Sequence, residues 1–118
     1  MMTNQEIANR LVELLNHGQF ETVYNELFHS NAEHIEPQSE QFAHLQGLDA
    51  IKAKDAAMSA HIASVEGPEV GQAIVARSHI GVPYKMKVTL KDGSLMDLDE
   101  LIVYHIENGK IMEERFFY

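Results

Sequence analysis

The chain has 118 residues, of which 45% are hydrophobic. This length buries one core and is short for two, so we predict a single domain over residues 1–118. The 18 acidic and 9 basic residues give a net charge of −9, which excludes a surface that follows nucleic-acid phosphates or anionic membranes. There is no cysteine, and the first ten residues show neither a basic leader nor an apolar stretch. We therefore expect a cytoplasmic protein that binds neither nucleic acid nor membrane.

The first third of the sequence predicts two helices and a short strand. Thr3 and Glu6 have the spacing of a capping box, and apolar residues then recur at helical intervals as far as Gly18. A second short helix begins at Phe20. Residues 32–36 are typical of a short strand, which gives the order helix, helix, strand for this part of the chain.

The segment that follows predicts a flap and a third helix. Pro37 stops the short strand, and the chain from there to Gly47 is polar except for two residues, so we expect it to cover the mouth of a pocket. A third helix is predicted from about residue 48 to residue 62. Ile51 and Met58 lie on its apolar side.

The second half predicts a meander of strands. Asp92-Gly93 and Asn108-Gly109 each separate two alternating runs, and such dipeptides favour two-residue hairpin turns. In a two-residue turn the flanking residues pair, so Lys91 would face Ser94 and Glu107 would face Lys110. Counting outward from these pairs assigns every side chain of the three strands to one of two faces.

The two faces have different expected roles. The first face is predicted to line the interior, and its members are Ile80, Val82, Tyr84, Met86, Val88, Asp97, Asp99, Leu101, Val103, His105, Met112, Glu114, Phe116 and Tyr118. The second face carries more apolar surface than a monomer normally exposes. We therefore predict a homodimer through this outer sheet face, with contacts from Leu98, Ile102, Tyr104, Ile111 and Phe117.

The order of elements resembles the SnoaL-like group of the nuclear transport factor 2-like superfamily. The most specific parts of the resemblance are the helix start Gly47-Leu48-Asp49-Ala50-Ile51 and the closing run from Asp99-Glu100-Leu101 to Phe116-Phe117-Tyr118. The resemblance implies an α+β cone in which three N-terminal helices pack on a strongly curved, mostly antiparallel sheet around an internal pocket. It implies no single reaction, because the superfamily includes cyclases, isomerases, epoxide hydrolases and proteins without known catalysis.

The resemblance supplies one candidate catalytic residue and argues against two specific mechanisms. Glu36, beside Pro37, matches the strand end where related ketosteroid isomerases place a proton-shuttling carboxylate. The tyrosine and protonated aspartate of those isomerases are replaced here by Leu11 and Val103, which disfavours that reaction. The group's polyketide cyclases carry a histidine and an aspartate two residues apart on the last strand. Glu114 and Phe116 stand in those places, so the cyclase pair is absent.

Glu36 and Glu114 are therefore the candidate catalytic residues. A carboxylate in an apolar cavity responds by binding its proton more tightly, and two neighbouring carboxylates share protons. The candidate ligand-binding residues are His34, Tyr84, Met86, Asp99, Leu101, Val103, His105, Met112, Phe116 and Tyr118. His34 and Glu36 alternate on the strand, but no motif of metal-ligand spacing is present, so we predict neither a metal nor another cofactor.

Three functions remain open from the sequence. The first is an isomerase, cyclase or hydrolase that acts on a small hydrophobic compound by general acid–base catalysis. The second is a non-catalytic protein that binds such a compound in its apolar pocket. The third is a dimeric interaction module whose cavity is filled by side chains.

Overall fold

The structure is a computed structural model that describes residues 1–118. Three helices pack on a curved, open, mixed sheet, which confirms the predicted α+β cone. The helices are α1 (Asn4–Asn16), α2 (Phe20–Leu27) and α3 (Leu48–Ser59). The strands are β1 (Phe28–Ile35), β2 (His44–Gln46), β3 (Ile62–Val70), β4 (Ile74–Val75), β5 (His79–Leu90), β6 (Leu95–Glu107) and β7 (Lys110–Phe117). No helix combines the length and apolar character that crossing a membrane requires.

Helix α1 begins at the predicted capping box. The Thr3 hydroxyl accepts a hydrogen bond from the Glu6 backbone N–H at 3.2 Å, and the Thr3 N–H donates to the Glu6 carboxylate at 2.8 Å. These two bonds satisfy amide groups that lack partners inside the helix. The apolar stripe of the helix is buried and consists of Ile7, Ala8, Leu11, Leu14 and Leu15.

Strand β1 is longer than predicted and helix α3 is shorter. The strand begins at Phe28, directly after α2, where the predicted strand spanned residues 32–36. Phe28 is buried and packs edge-on against Tyr24, with ring centroids 5.1 Å apart, so its burial anchors the start of the strand. Helix α3 ends at Ser59, three residues before the predicted end.

The order of the sheet places the first and last strands side by side. The order is β2-β1-β7-β6-β5-β3, and β4 also pairs with β5. Strand β1 runs parallel to β7, and the other strand pairs are antiparallel. The hydrophobic core lies between the inner face of this sheet and the apolar stripes of the helices.

The β5–β6 hairpin does not have the predicted two-residue turn. The Leu90 N–H donates to the Ser94 carbonyl at 2.8 Å, and Tyr84 pairs with Glu100, so the loop contains three residues, 91–93. The predicted pairing of Lys91 with Ser94 is therefore wrong by one residue. Because side chains alternate between faces, every residue of β6 lies on the face opposite to the predicted one.

The β6–β7 hairpin has the predicted turn and a bulge beyond it. Glu107 pairs with Lys110 as expected. The register then shifts between Ile106 and His105, which pairs with Glu113, so Met112 is an extra residue on β7. This β-bulge lets Glu114 and Phe116 face the same side of the sheet as the inner residues of β6.

The corrected register changes the outer face of the sheet. Four residues of the predicted dimer contact face inward and are packed in the core or line the cavity described below: Leu98, Ile102, Tyr104 and Ile111. Phe117 remains on the outside, with 47% of its surface exposed. Leu101, which was expected to face the interior, is 42% exposed.

Candidate functional site

A cavity of about 830 Å³ lies between the helices and the concave face of the sheet. Helices α2 and α3, the segment after β1, and strands β5, β6 and β7 contribute its walls. Most of the lining residues are hydrophobic, and the ionisable ones include Glu36, Lys54, Asp55, Glu100 and Glu114. The cavity therefore combines an apolar surface with a cluster of charged groups, the usual composition of a small-molecule site.

A histidine–glutamate pair supports one end of this cavity. The Nδ1 of His34 lies 2.8 Å from Oε1 of Glu114, across the parallel pairing of β1 with β7. His34 is 1% exposed and Glu114 is 5% exposed. The imidazole also lies against Phe116, with ring centroids 4.9 Å apart. When Glu114 is ionised it can only accept this hydrogen bond, so Nδ1 of His34 is then the donor.

Lys54 connects this pair to Glu36. Its Nζ lies 3.4 Å from Nε2 of His34 and 3.7 Å from Oε1 of Glu36. The same ammonium group lies over the rings of Phe42 and Phe116, at 5.9 and 5.6 Å from their centroids. A cation held by a carboxylate and two aromatic faces is well placed beside an apolar cavity. What we call the polar end of the cavity consists of these groups and the two acids that interact with them: His34, Glu36, Phe42, Lys54, Glu100, Glu114 and Phe116.

Burial and mutual repulsion shift the pKa values of the acids at the polar end. Burial, followed by the negative charge of Glu36, raises the pKa of Glu100 to about 7. Burial also raises the pKa of Glu114, although the hydrogen bond from His34 opposes the shift. Both carboxyl groups thus hold their protons more tightly than in water. A group with a pKa near 7 both gives and accepts protons at neutral pH.

Tyrosines supply neutral hydrogen-bond donors around the same acids. The Tyr24 hydroxyl donates to Asp55, whose pKa is raised by burial. Burial and then the charge of Glu100, its cross-strand neighbour, raise the pKa of Tyr84 to about 12. Partial burial and the charge of Glu36 raise the pKa of Tyr118. These phenols stay protonated at neutral pH. The Tyr24 hydroxyl is already hydrogen-bonded to Asp55, whereas Tyr84 donates only to the weak acceptor Sδ of Met86, at 3.5 Å, and can exchange that contact for an oxygen atom of a ligand.

The structure brings six of the twelve predicted site residues to the cavity wall: Glu36, Tyr84, Met86, Glu114, Phe116 and Tyr118. His34 is not part of the wall but lies directly behind it and bonds to Glu114. Four others lie on the outer face of β6 because of the three-residue turn: Asp99, Leu101, Val103 and His105. Met112 is the bulge residue of β7 and is also absent from the wall.

Sequence reasoning missed Lys54, Asp55 and Glu100. Lys54 and Asp55 follow Ile51 by three and four residues and precede Met58 by four and three, so they lie on the helix face that was recognised as apolar. That spacing was a usable signal. Glu100 was assigned to the outer face, and only the loop length of the β5–β6 hairpin reverses this assignment.

The fold agrees with comparisons to known proteins. The chain matches the SnoaL-like domain family over residues 2–118 and therefore belongs to that family. No curated protein matches it in sequence. A SnoaL-like protein of Mesorhizobium loti, whose name gives polyketide cyclase and carbohydrate phosphatase as candidate activities, is 30% identical over 99% of this chain and 100% of its own, with a TM-score of 0.92.

Two more distant structures share the fold. An NTF2-like protein of unknown function from Burkholderia pseudomallei has 19% identity over 100% of this chain and 92% of its own, with a TM-score of 0.79. TerC, crystallised with polyporic acid, has 16% identity over 98% of this chain and 90% of its own, with a TM-score of 0.76. At these identities the two structures show only that this chain shares their fold.

Proposed function

We propose that the cavity binds a small, mainly apolar compound with a carbonyl oxygen and that carboxyl groups at the polar end transfer protons to and from it. The reaction would be an isomerisation, cyclisation or hydrolysis by general acid–base catalysis, a contribution of about 10²–10⁴-fold in rate. The observation that carries this proposal is that Lys54, whose ammonium group lies 3.7 Å from Glu36, shares a largely apolar cavity wall with two further acids, Glu100 and Glu114.

Each group at the polar end has a distinct proposed role. Glu36 borders the cavity and is the proposed base that removes a proton from the ligand. Lys54 donates to the ligand oxygen and stabilises the negative charge that develops there. Glu100, with a pKa of about 7, is the proposed acid that gives its own proton to the ligand, and the proton on Glu36 then passes through solvent to Glu100 and resets both groups. Glu114, in the wall, orients His34 behind it, and His34 in turn contacts Lys54.

Passive binding is the second candidate function. The largely hydrophobic lining favours it, and so does the contact of Glu114 with His34, because one of the two candidate catalytic acids is then already bonded to a protein group. TerC, which shares the fold, was crystallised with polyporic acid. A binding protein would need the cavity but no proton transfer.

Deuterium exchange separates the two candidates. Simple ketones such as cyclohexanone and 2-octanone are incubated with the protein in D₂O, and exchange at the carbon next to the carbonyl is followed by NMR. We expect the protein to raise the rate of exchange above the uncatalysed rate. In Glu36→Gln this catalysed rate should be lower by about 10²-fold or more. The matched control is Glu33→Gln, since Glu33 is an exposed residue of β1 paired with His44. Binding of the ketones without deuterium exchange would contradict catalysis and support passive binding as the function.

Thermal melts of Glu114→Gln test its protonation. Because its folded pKa is raised, wild-type stability is fully present below the ordinary carboxyl pKa and declines as pH rises through the raised value. The Glu114→Gln variant lacks this decline. The difference in melting temperature, variant minus wild type, should therefore increase from acidic to neutral pH. A sharp fall of melting temperature in both Glu114→Gln and Glu36→Gln would instead indicate carboxylates that neutralise buried cations, a loss of about 3–5 kcal/mol, and would retire the proton-transfer proposal.

We also propose that the outer sheet face joins two copies of the chain, with Leu101 and Phe117 in place of the residues first predicted. Both are large, apolar and exposed on neighbouring strands, where they pair with each other. A two-fold axis makes such a patch self-complementary. Sedimentation at micromolar concentration should give the mass of a dimer, and Leu101→Glu should shift it to the monomer. A monomeric wild type would contradict this assembly.

A further inference from the structure

The cavity has a second end that differs chemically from the polar end. Tyr84 pairs with Glu100 at the polar end, and Val88 pairs with Met96 four residues further along the same two strands. Four residues of strand span about 13 Å. Helix α3 runs in the same direction: Lys54 belongs to the polar end, and Ile62, three residues after the helix ends, pairs with Leu90 beyond Val88, so Met58 lies towards the second end. The cavity is therefore elongated, with its charged groups gathered at one end.

The far end is lined by flexible thioether side chains. Met58, Met86 and Met96 all belong to the cavity wall. Methionine has three rotatable bonds and adapts its shape to a partner, whereas rigid planar ligands are held best by flat aromatic walls. The aromatic faces of Phe42 and Phe116 flank Lys54 at the opposite end. The walls thus favour a planar, polar group at one end and a flexible apolar chain at the other.

We infer that the ligand is a carbonyl compound with one flexible aliphatic tail, its oxygen beside Lys54 and its tail extending past Met86 to Met96. An extended carbon chain advances ~1.3 Å per bond, so a tail of about ten carbons spans the distance between the two ends. This inference rests on the proposed function only in taking the cavity as the ligand site and Lys54 as the oxygen's partner. It requires no proton transfer.

The length of the tail then sets the affinity. Each methylene group that leaves water gains about 0.8 kcal/mol, which corresponds to a three- to fourfold lower dissociation constant. The gain should continue from short ketones until the tail passes Met96 and should then level off.

The probes are the 2-alkanones from 2-pentanone to 2-undecanone, with dissociation constants measured by calorimetry on the full chain. We expect the dissociation constant to fall roughly threefold for each added carbon. We also expect a lower dissociation constant for 2-nonanone than for 2-acetylnaphthalene, a rigid planar ketone. Constants that do not depend on chain length, or tighter binding of the planar ketone, would overturn the inference.

Two methionine variants locate the tail. Met96→Gln keeps the length and flexibility of the side chain but adds an amide. It should therefore raise the dissociation constants of the long ketones by about tenfold and leave that of 2-pentanone unchanged. Met112→Gln is the matched control because the bulge residue lies off the cavity wall. Equal effects of both variants on 2-undecanone would contradict the assigned path. Length-dependent binding without deuterium exchange would overturn the catalytic proposal alone, and exchange without length dependence would overturn this inference alone.

Discussion

The two hairpins of the second half carry similar tips and give different registers. In the β6–β7 turn both Asn108 and Gly109 have positive φ, at 51° and 75°, as a two-residue turn of this type requires. In the β5–β6 loop only Gly93 has positive φ, at 89°. The carboxylate of Asp92 instead accepts a hydrogen bond from the Ser94 N–H at 2.8 Å and so stabilises a three-residue loop.

This difference of one loop residue decides the chemistry of the cavity. With the three-residue loop, Glu100 faces the cavity and Asp99 faces outward. A two-residue turn would exchange the two acids, because successive residues of a strand point to opposite faces. Turn chemistry thus selects which carboxyl group is available to a ligand.

The largest expected effect tests the β6 register directly. Ile102 is 4% exposed, so Ile102→Ala should lower the free energy of unfolding by about 2–4 kcal/mol. Leu101→Ala, one position away on the outer face, should cost less than about 0.5 kcal/mol in the monomer. Urea unfolding of both variants at low protein concentration measures the difference. A larger loss for Leu101→Ala would restore the two-residue turn and the predicted register.

A smaller effect tests whether Glu100 or Asp99 faces the cavity. The pKa of Glu100 is raised to about 7, so wild type is fully stabilised below the ordinary carboxyl pKa and loses stability as pH rises through 7. Glu100→Gln should therefore gain about 1–2 kcal/mol relative to wild type between pH 5 and pH 8, a figure reduced for the partial solvation of the group. Urea unfolding at both pH values provides the measurement.

Asp99→Asn is the control for that experiment, since Asp99 lies opposite Lys85 on the outer face. Its stability relative to wild type should change little over the same range of pH. A pH-dependent gain in Asp99→Asn and none in Glu100→Gln would show that the two side chains are exchanged.

The smallest effect concerns the loop itself. Gly93→Ala places a side chain at a positive φ and should cost about 1 kcal/mol, although no atom lies within 4 Å of the added carbon. Gly93→Asn should cost less, because asparagine tolerates the left-handed conformation. Thermal melts at one pH are sufficient. Equal losses for the two variants would argue against a positive φ at this position.

The sequence predicted those parts of the fold that depend on local signals. The capping box at Thr3 marks the start of α1, and Asn108-Gly109 marks the second turn, because each motif satisfies its own backbone groups. The loop length of the first hairpin depended on a competing hydrogen bond from Asp92 that the dipeptide alone does not reveal. The bulge at Met112 shifts the register of β7 against β6 by one residue, so that the inner faces of the two strands match. This bulge has no sequence signature.

The candidate site was predictable in part for the same reason. Glu36 and Glu114 followed from the strand end and from the family resemblance, and both lie at the cavity. Glu100 was misplaced by the turn, and Lys54 was missed because it shares a helix face with Ile51 and Met58, whose apolar spacing predicts burial against the core rather than a polar contact with the cavity. The contact of His34 with Glu114 joins residues 80 positions apart and is a property of the sheet order.

That sheet order has a consequence for how the chain acquires its site. The parallel pairing of β1 with β7 closes a large loop, and such long-range pairings carry an entropic cost that local hairpins avoid. We expect the helices and both hairpins to form before β1 docks, so that the polar end is among the last parts to assemble. A nascent chain still lacking Lys110–Phe117 would contain Glu36 and Lys54 but not their buried support. Competence of the cavity would thus report that β7 has been synthesised and has paired with β1.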